Sequence, residues 1–150
     1  MGTFSASIKD WATKTEDELT VIMREAVEDT VVAIGLPFSE GGPMPVDIGF
    51  LRNSMAADIN GEGSFATVKP AFHGDRGAGT GAAELVISNM PLGSIAHVAW
   101  TAVYAARVNY GFVGQDSLGR NYFNGGAHFL EIGAETWPGN VDRAVNRNTK

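Results

Sequence analysis

The first thirty-four residues constrain the fold most. From Ser5 to Ile34, apolar side chains recur at Ile8, Trp11, Leu19, Ile22, Met23, Ala26 and Ala33, with Thr15 filling a gap. Steps of three, four and seven residues put these side chains on one face of a helix. Lys9, Lys14, Asp17, Glu18, Glu25 and Glu28 fall largely elsewhere. About 27 residues at 1.5 Å each predict a rod of roughly 40 Å. Thr30, Val31 and Val32 weaken helix propensity near its end, and Gly35 followed by Pro37 stops it. Such a helix covers a sheet with its apolar face; the alternative is a free acidic helix that docks elsewhere.

Beyond the stop, residues 35–46, GLPFSEGGPMPV, cannot continue a helix. The segment PVDIGFLRNS, 45–54, predicts a short helix with Asp47 as N-cap, its carboxylate accepting the N–H of Gly49 or Phe50. Phe50, Leu51, Ser54 and Met55 follow on that helix, Gly49 permits close approach of another backbone, and Arg52 projects outward or pairs with an acid. Ser64–Phe72 reads as a strand, with Pro70 marking an edge or an end. Residues 73–82 read as a hairpin-type loop, Glu84–Ser88 as a buried strand, and Ile95–Val103 as another strand passing into a helical turn at 104–108. Residues 111–127 read as a long glycine-rich loop, and the chain from His128 onward as a helix broken or offset at Pro138. Residues 1–150 fit a single domain without internal repeats.

Composition narrows the chemistry. The absence of cysteine excludes disulfide scaffolds, thiolate catalysis and cysteine-based zinc sites. The net charge of −6 is concentrated in residues 1–40, which carry eight acids against three bases. No cluster of Lys and Arg is available to displace counterions from phosphates, so direct nucleic-acid binding is not expected. No apolar run approaches the ~20 residues needed to span a bilayer, and the N-terminus lacks a basic segment before an apolar core. A chain made and used in solution is expected.

His73, His97 and His128 are far apart and match no HExxH or HxH pattern, so no metal is expected. GDRGAGTG, 74–81, lacks the lysine of a phosphate-binding loop and the strand–turn–helix context that aims amides at an anion. Glu131 and Glu135 share a helix face as a solvated pair rather than as catalytic carboxylates, and Ser54, Ser88 and Ser94 lack a nucleophile elbow. Neither an enzymatic activity nor a cofactor is expected. The aromatics say more: Trp100, Tyr104, Tyr110, Phe112, Tyr122, Phe123 and Phe129 crowd into thirty residues beside Arg120 and Asn121. That composition suits either a core lid or a protein–protein contact.

Three segments, in this order, carry a resemblance. PVDIGFLRNS resembles the PVDTGxLRxS signature of the tail-completion (head–tail joining, neck) minor tail proteins of long-tailed bacteriophages. YAARVNYGF, 104–112, resembles that family's YA-x-x-x-E-[YF]-G segment. AHFLEIGAETWP resembles its closing helix, matched at Phe129, Leu130, Ala134 and Trp137. Ile48 stands where the family has threonine, removing a capping hydroxyl, and Asn109 stands where it has glutamate, removing a salt bridge from that position.

The resemblance implies an α+β fold: an antiparallel β-sheet packed by a long N-terminal helix and a C-terminal helix, with long Gly-rich loops. It implies a structural virion protein that caps the head-proximal end of the tail tube and joins tail to head. The partners it implies are a ring of its own copies, hexameric in the particle, the tail-tube protein and the head-completion or connector protein. Its place would be the virion neck, and the bacterial cytoplasm during assembly. Arg52, Arg76, Arg120, Tyr122 and Phe123 are the candidate contact residues; Asp47, Gly49 and Gly111 are candidate structural positions. Competing readings are a head-completion adaptor or tail-tube subunit of the same particle, and a small hydrolase supported by residue types alone.

Overall fold

A computed structural model describes residues 2–149. Helix α1 runs Gly2–Ile34. It ends as the sequence predicts: the Gly35 amide donates to Val31 O at 3.0 Å, and Pro37 cannot continue the ladder. Residues 36–44 close a loop in which the Met44 amide donates to Leu36 O at 3.0 Å and the Phe38 amide donates to Met44 O at 2.9 Å. The fully buried Met44 side chain plugs this loop into the core.

The short helix α2 spans only Phe50–Asn53, and its N-cap is Gly49, not Asp47. Gly49 adopts φ 94, a left-handed conformation that suits glycine, and its carbonyl accepts the Asn53 amide at 3.0 Å. The helix thus begins two residues later than predicted, and the exposed Asp47 carboxylate makes no capping bond. Ser54 then turns the chain into strand β1, Met55–Ile59, so Met55 opens a strand instead of ending the helix, and 56–59 form an element that the sequence pattern does not announce. The Ser54 hydroxyl donates to Leu51 O at 2.7 Å and accepts the Ala102 amide at 3.0 Å.

Strand β1 pairs antiparallel with β2, Ala96–Trp100, in register from Met55↔Trp100 to Ile59↔Ala96. The predicted strand over 64–72 does not form. Only Val68 pairs, in an isolated bridge to Ala102 just past the end of β2, and Pro70 has no N–H with which to extend a ladder. Nor is 84–88 a strand: Gly81–Ser88 is helix α3. A short apolar run reads equally as buried strand or buried helix, and Ala82, Ala83 and Glu84 are the helix formers that decide it.

Strand β2 stops at Trp100 instead of reaching Val103, and after residues 101–104 helix α4, Ala105–Tyr110, forms where a helical turn is expected. The stretch predicted as an irregular loop is instead an antiparallel hairpin, β3 Phe112–Gln115 and β4 Asn121–Asn124. Its base needs glycine at two facing positions. Gly111 has φ 85, and a Cβ there would lie 2.2 Å from Asn124 O; Gly126 has φ 79, and a Cβ there would lie 2.4 Å from Asn109 O.

The C-terminal region forms α5, Phe129–Ala134, and α6, Trp137–Asn148, with Pro138 in the first turn of α6, where its missing N–H costs nothing. The α+β architecture is therefore as expected, but with two small antiparallel sheets in place of one. Helix α6 packs along the C-terminal half of α1. Asn140 donates to Thr30 Oγ1 at 2.8 Å, and Arg147 pairs with Glu25 at 2.9 Å and Asp29 at 2.7 Å, so the two helices run antiparallel. The core joins Val31, Ile34, Leu51, Met55, Ile87 and Phe129 around Trp100, whose ring meets Phe129 edge-on at 5.9 Å.

Candidate interaction surface

Two elements project apolar side chains away from this core. The first is the N-terminal half of α1. Helix α1 holds 33 residues, about 50 Å at 1.5 Å per residue, whereas a 150-residue globule has a radius of gyration of only about 15 Å. Its apolar stripe is buried at Ala26, where α6 covers it, but Ile8, Trp11 and Leu19 on the same stripe are exposed, Trp11 to 69%.

The second is the β3–β4 hairpin, where Val113, Leu118 and Phe123 are exposed, Phe123 to 88%. Asp116 builds its turn. One carboxylate oxygen accepts the amides of Leu118 and Arg120, both at 2.9 Å, and the other accepts Arg120 Nε at 2.6 Å and the Tyr122 hydroxyl at 3.2 Å. These bonds, led by the Arg120 amide, hold the Asp116 carboxyl below its ordinary range. Arg120 also lies 6.0 Å from the Tyr122 ring centroid, and Arg107 lies 4.5 Å over Phe112. The motif Asp116–Gly119 is a turn signature, acid first and glycine fourth, that could have announced the hairpin.

The candidate contact residues thus fall into two groups. Arg120, Tyr122 and Phe123 share the hairpin. Arg52 and Arg76 lie near α2, where Asn53 Nδ2 donates to the backbone carbonyl of Arg76 at 2.8 Å, and both arginines are exposed. Arg52 borders a cleft of about 480 Å³ that Glu28, Glu84, Val31, Met55 and Trp100 also line. Burial raises the Glu28 carboxyl above its usual value, with the charges of Glu25, Asp29 and Glu84 adding to the shift. The Trp100 indole N–H is buried without an acceptor.

A second cleft, about 590 Å³, lies against residues 45–51 with Tyr104 and Val108. Burial raises the Tyr104 phenol, and the nearby Asp47 carboxylate raises it further. PVDIGFLRNS is therefore both a turn of the fold, through Gly49, Phe50 and Leu51, and one wall of an open surface.

The histidines remain apart. His97 lies on β2, His73 in a turn, and His128 at the start of α5, φ 51, its Nε2 3.1 Å from Gly125 O. Among the described residues, no group of three His, Cys, Asp or Glu side chains is arranged to hold a metal. Among the described residues, no helix is long and apolar enough to cross a membrane.

In the sequence Asn109 signals only a lost charge. It is buried, and its carboxamide joins α4 to α5.

The surface is large for the mass. The chain exposes 9807 Å², whereas a compact monomer of 15.9 kDa exposes about 7,400 Å². Comparison with protein-family models, curated proteins and solved structures finds no match.

Proposed function

We propose that this chain is a structural virion protein that caps the head-proximal end of a phage tail tube and helps join tail to head. The observations that carry the reading are a surface about 2,400 Å² larger than that of a compact monomer of this mass and the apolar side chains exposed on two projecting elements. A subunit that finishes burying its surface only within an assembly has this form; an enzyme needs instead a converging set of reactive groups. The ordered resemblance of 45–54, 104–112 and 127–138 supplies the particular assembly. In this reading the partners are further copies in a ring, the tail-tube protein and the connector, and the chain performs no catalytic step.

The test is to locate the protein in intact particles by electron microscopy with a label on its C-terminus. Label at the tail end that faces the capsid is expected. Label spread along the tube would identify a tail-tube subunit instead, and label confined to the capsid portal a head-completion adaptor.

A further inference from the structure

We propose that the β3–β4 hairpin of one copy docks on the exposed N-terminal half of α1 of a second copy. The inference names the self-contact of the assembly proposed above and rests on that reading. The two surfaces lie at opposite ends of the molecule. Gly133 of α5 sits against Ile34, the last residue of α1, where a Cβ would approach Ile34 Cγ1 to 2.3 Å. The hairpin springs from the residues just before α5, tied there by the His128 amide on Asn109 O at 2.9 Å. Ile8 lies 26 residues back along α1, about 40 Å away at 1.5 Å per residue. A copy therefore cannot satisfy its helix with its own hairpin base.

Charge favours this pairing over helix against helix. Residues 5–20 of α1 carry Asp10, Glu16, Asp17 and Glu18 against Lys9 and Lys14, so two such helices side by side repel. The hairpin itself carries only Arg120 paired with Asp116, and the exposed Arg107 of α4 lies over its Phe112, so this pairing sets no acidic surface against another. The apolar parts match in kind: Ile8, Trp11 and Leu19 form a stripe, and Val113, Leu118 and Phe123 are side chains able to lie across it.

Area agrees. Each copy would offer one helix patch and one hairpin; a standard contact buries about 1,600 Å², and the chain exposes about 2,400 Å² more than a compact monomer, enough surface for one such contact per copy. A contact between two different patches repeats by rotation, and gives a ring where the rotation closes.

Two variants on opposite patches test the contact in the purified full chain: Trp11→Glu and Phe123→Glu, with Ile8→Glu and Leu118→Glu as a second pair should either fail to unfold cooperatively. Sedimentation velocity should find concentration-dependent assembly of the parent chain, weakened by salt, and a monomer for each variant alone. An equimolar mixture of the two variants should form a 1:1 heterodimer and nothing larger, because one intact helix and one intact hairpin remain. A monomeric parent at ~100 µM, unchanged assembly of Phe123→Glu, or a mixture that stays monomeric overturns the contact. The label position in particles does not depend on this result, so the neck assignment and the contact fail separately.

Discussion

Asn109 and Glu131 form a cap for α5 supplied from another element. Asn109 Nδ2 donates to both Glu131 carboxylate oxygens, at 2.9 and 3.2 Å, while its Oδ1 accepts the Leu130 amide at 3.0 Å. The residue at the local N-cap, His128, makes no such bond. One side chain of α4 therefore satisfies an orphan amide of α5 and anchors the acid of its first turn, as a capping box does within a single helix.

Asn109→Ala should accordingly destabilise the fold by about 1–3 kcal/mol, the cost of stranding a buried polar group, measured by urea unfolding. Asn109→Asp should be worse at neutral pH, since it removes the donor and sets two carboxylates against each other. Its deficit should shrink as acid protonates either carboxylate and restores a donor. Equal stability of Asn109→Asp and the parent at pH 7 would show that the link carries no energy.

Glu28 gives a pH signature of opposite sense to acid denaturation. Burial, then Glu25, Asp29 and Glu84, raise its carboxyl, so the folded state binds the proton more tightly than the unfolded chain. Its contribution falls as pH rises from the ordinary glutamate range through the raised folded value. Glu28→Gln should therefore unfold at a higher temperature than the parent at pH 7, by a small margin because solvent screens the half-buried carboxylate. The difference should vanish below the ordinary glutamate range. A gain that persists there would mean that packing, not charge, is responsible.

The helix start near 45–54 separates glycine from acid. Asp47→Ala should change stability by less than about 0.5 kcal/mol, because its exposed carboxylate caps nothing. Gly49→Ala should cost about 1–2 kcal/mol, the penalty for an L-residue in the left-handed region. Thermal unfolding of the two variants side by side decides it; the reverse order would restore the cap to Asp47.

That pair illustrates what the sequence made legible. The long helix, its stop at Gly35–Pro37, the strand around 96–100 and the break at Pro138 follow from periodicity and backbone chemistry, which act locally. Glycine counts alone hid the hairpin. Gly111 and Gly126 signalled flexibility, yet they are where two backbones meet too closely for a Cβ, and Asp116 supplies the order. The run at 84–88 misled because Val86 and Ile87 favour strands while the tertiary contact of α3 with α1 and β1 does not depend on that preference. The contact residues were legible by type, but Trp11 was assigned to the helix face toward the core. Only the three-dimensional arrangement reveals that α6 stops short of it.

The hairpin provides the last prediction, because its stability and its contact role can be separated. Arg120 and Tyr122 are exposed, and the Arg120–Asp116 pair is a surface ion pair, of the kind that adds little to stability. Changing both to alanine leaves the two amide bonds to Asp116, so the turn should persist and the melting temperature should fall by no more than about 4 °C. Gly111→Ala should instead disrupt the hairpin base and lower stability by ~2–4 kcal/mol, through strain and collision with Asn124. On the proposed neck role, the double variant in a complementation assay should be made and folded but yield separate heads and tails, counted by electron microscopy. Joined particles in normal number with a folded double variant would remove Arg120 and Tyr122 from the contact. Unfolding of the double variant would place them among the residues that hold the domain together.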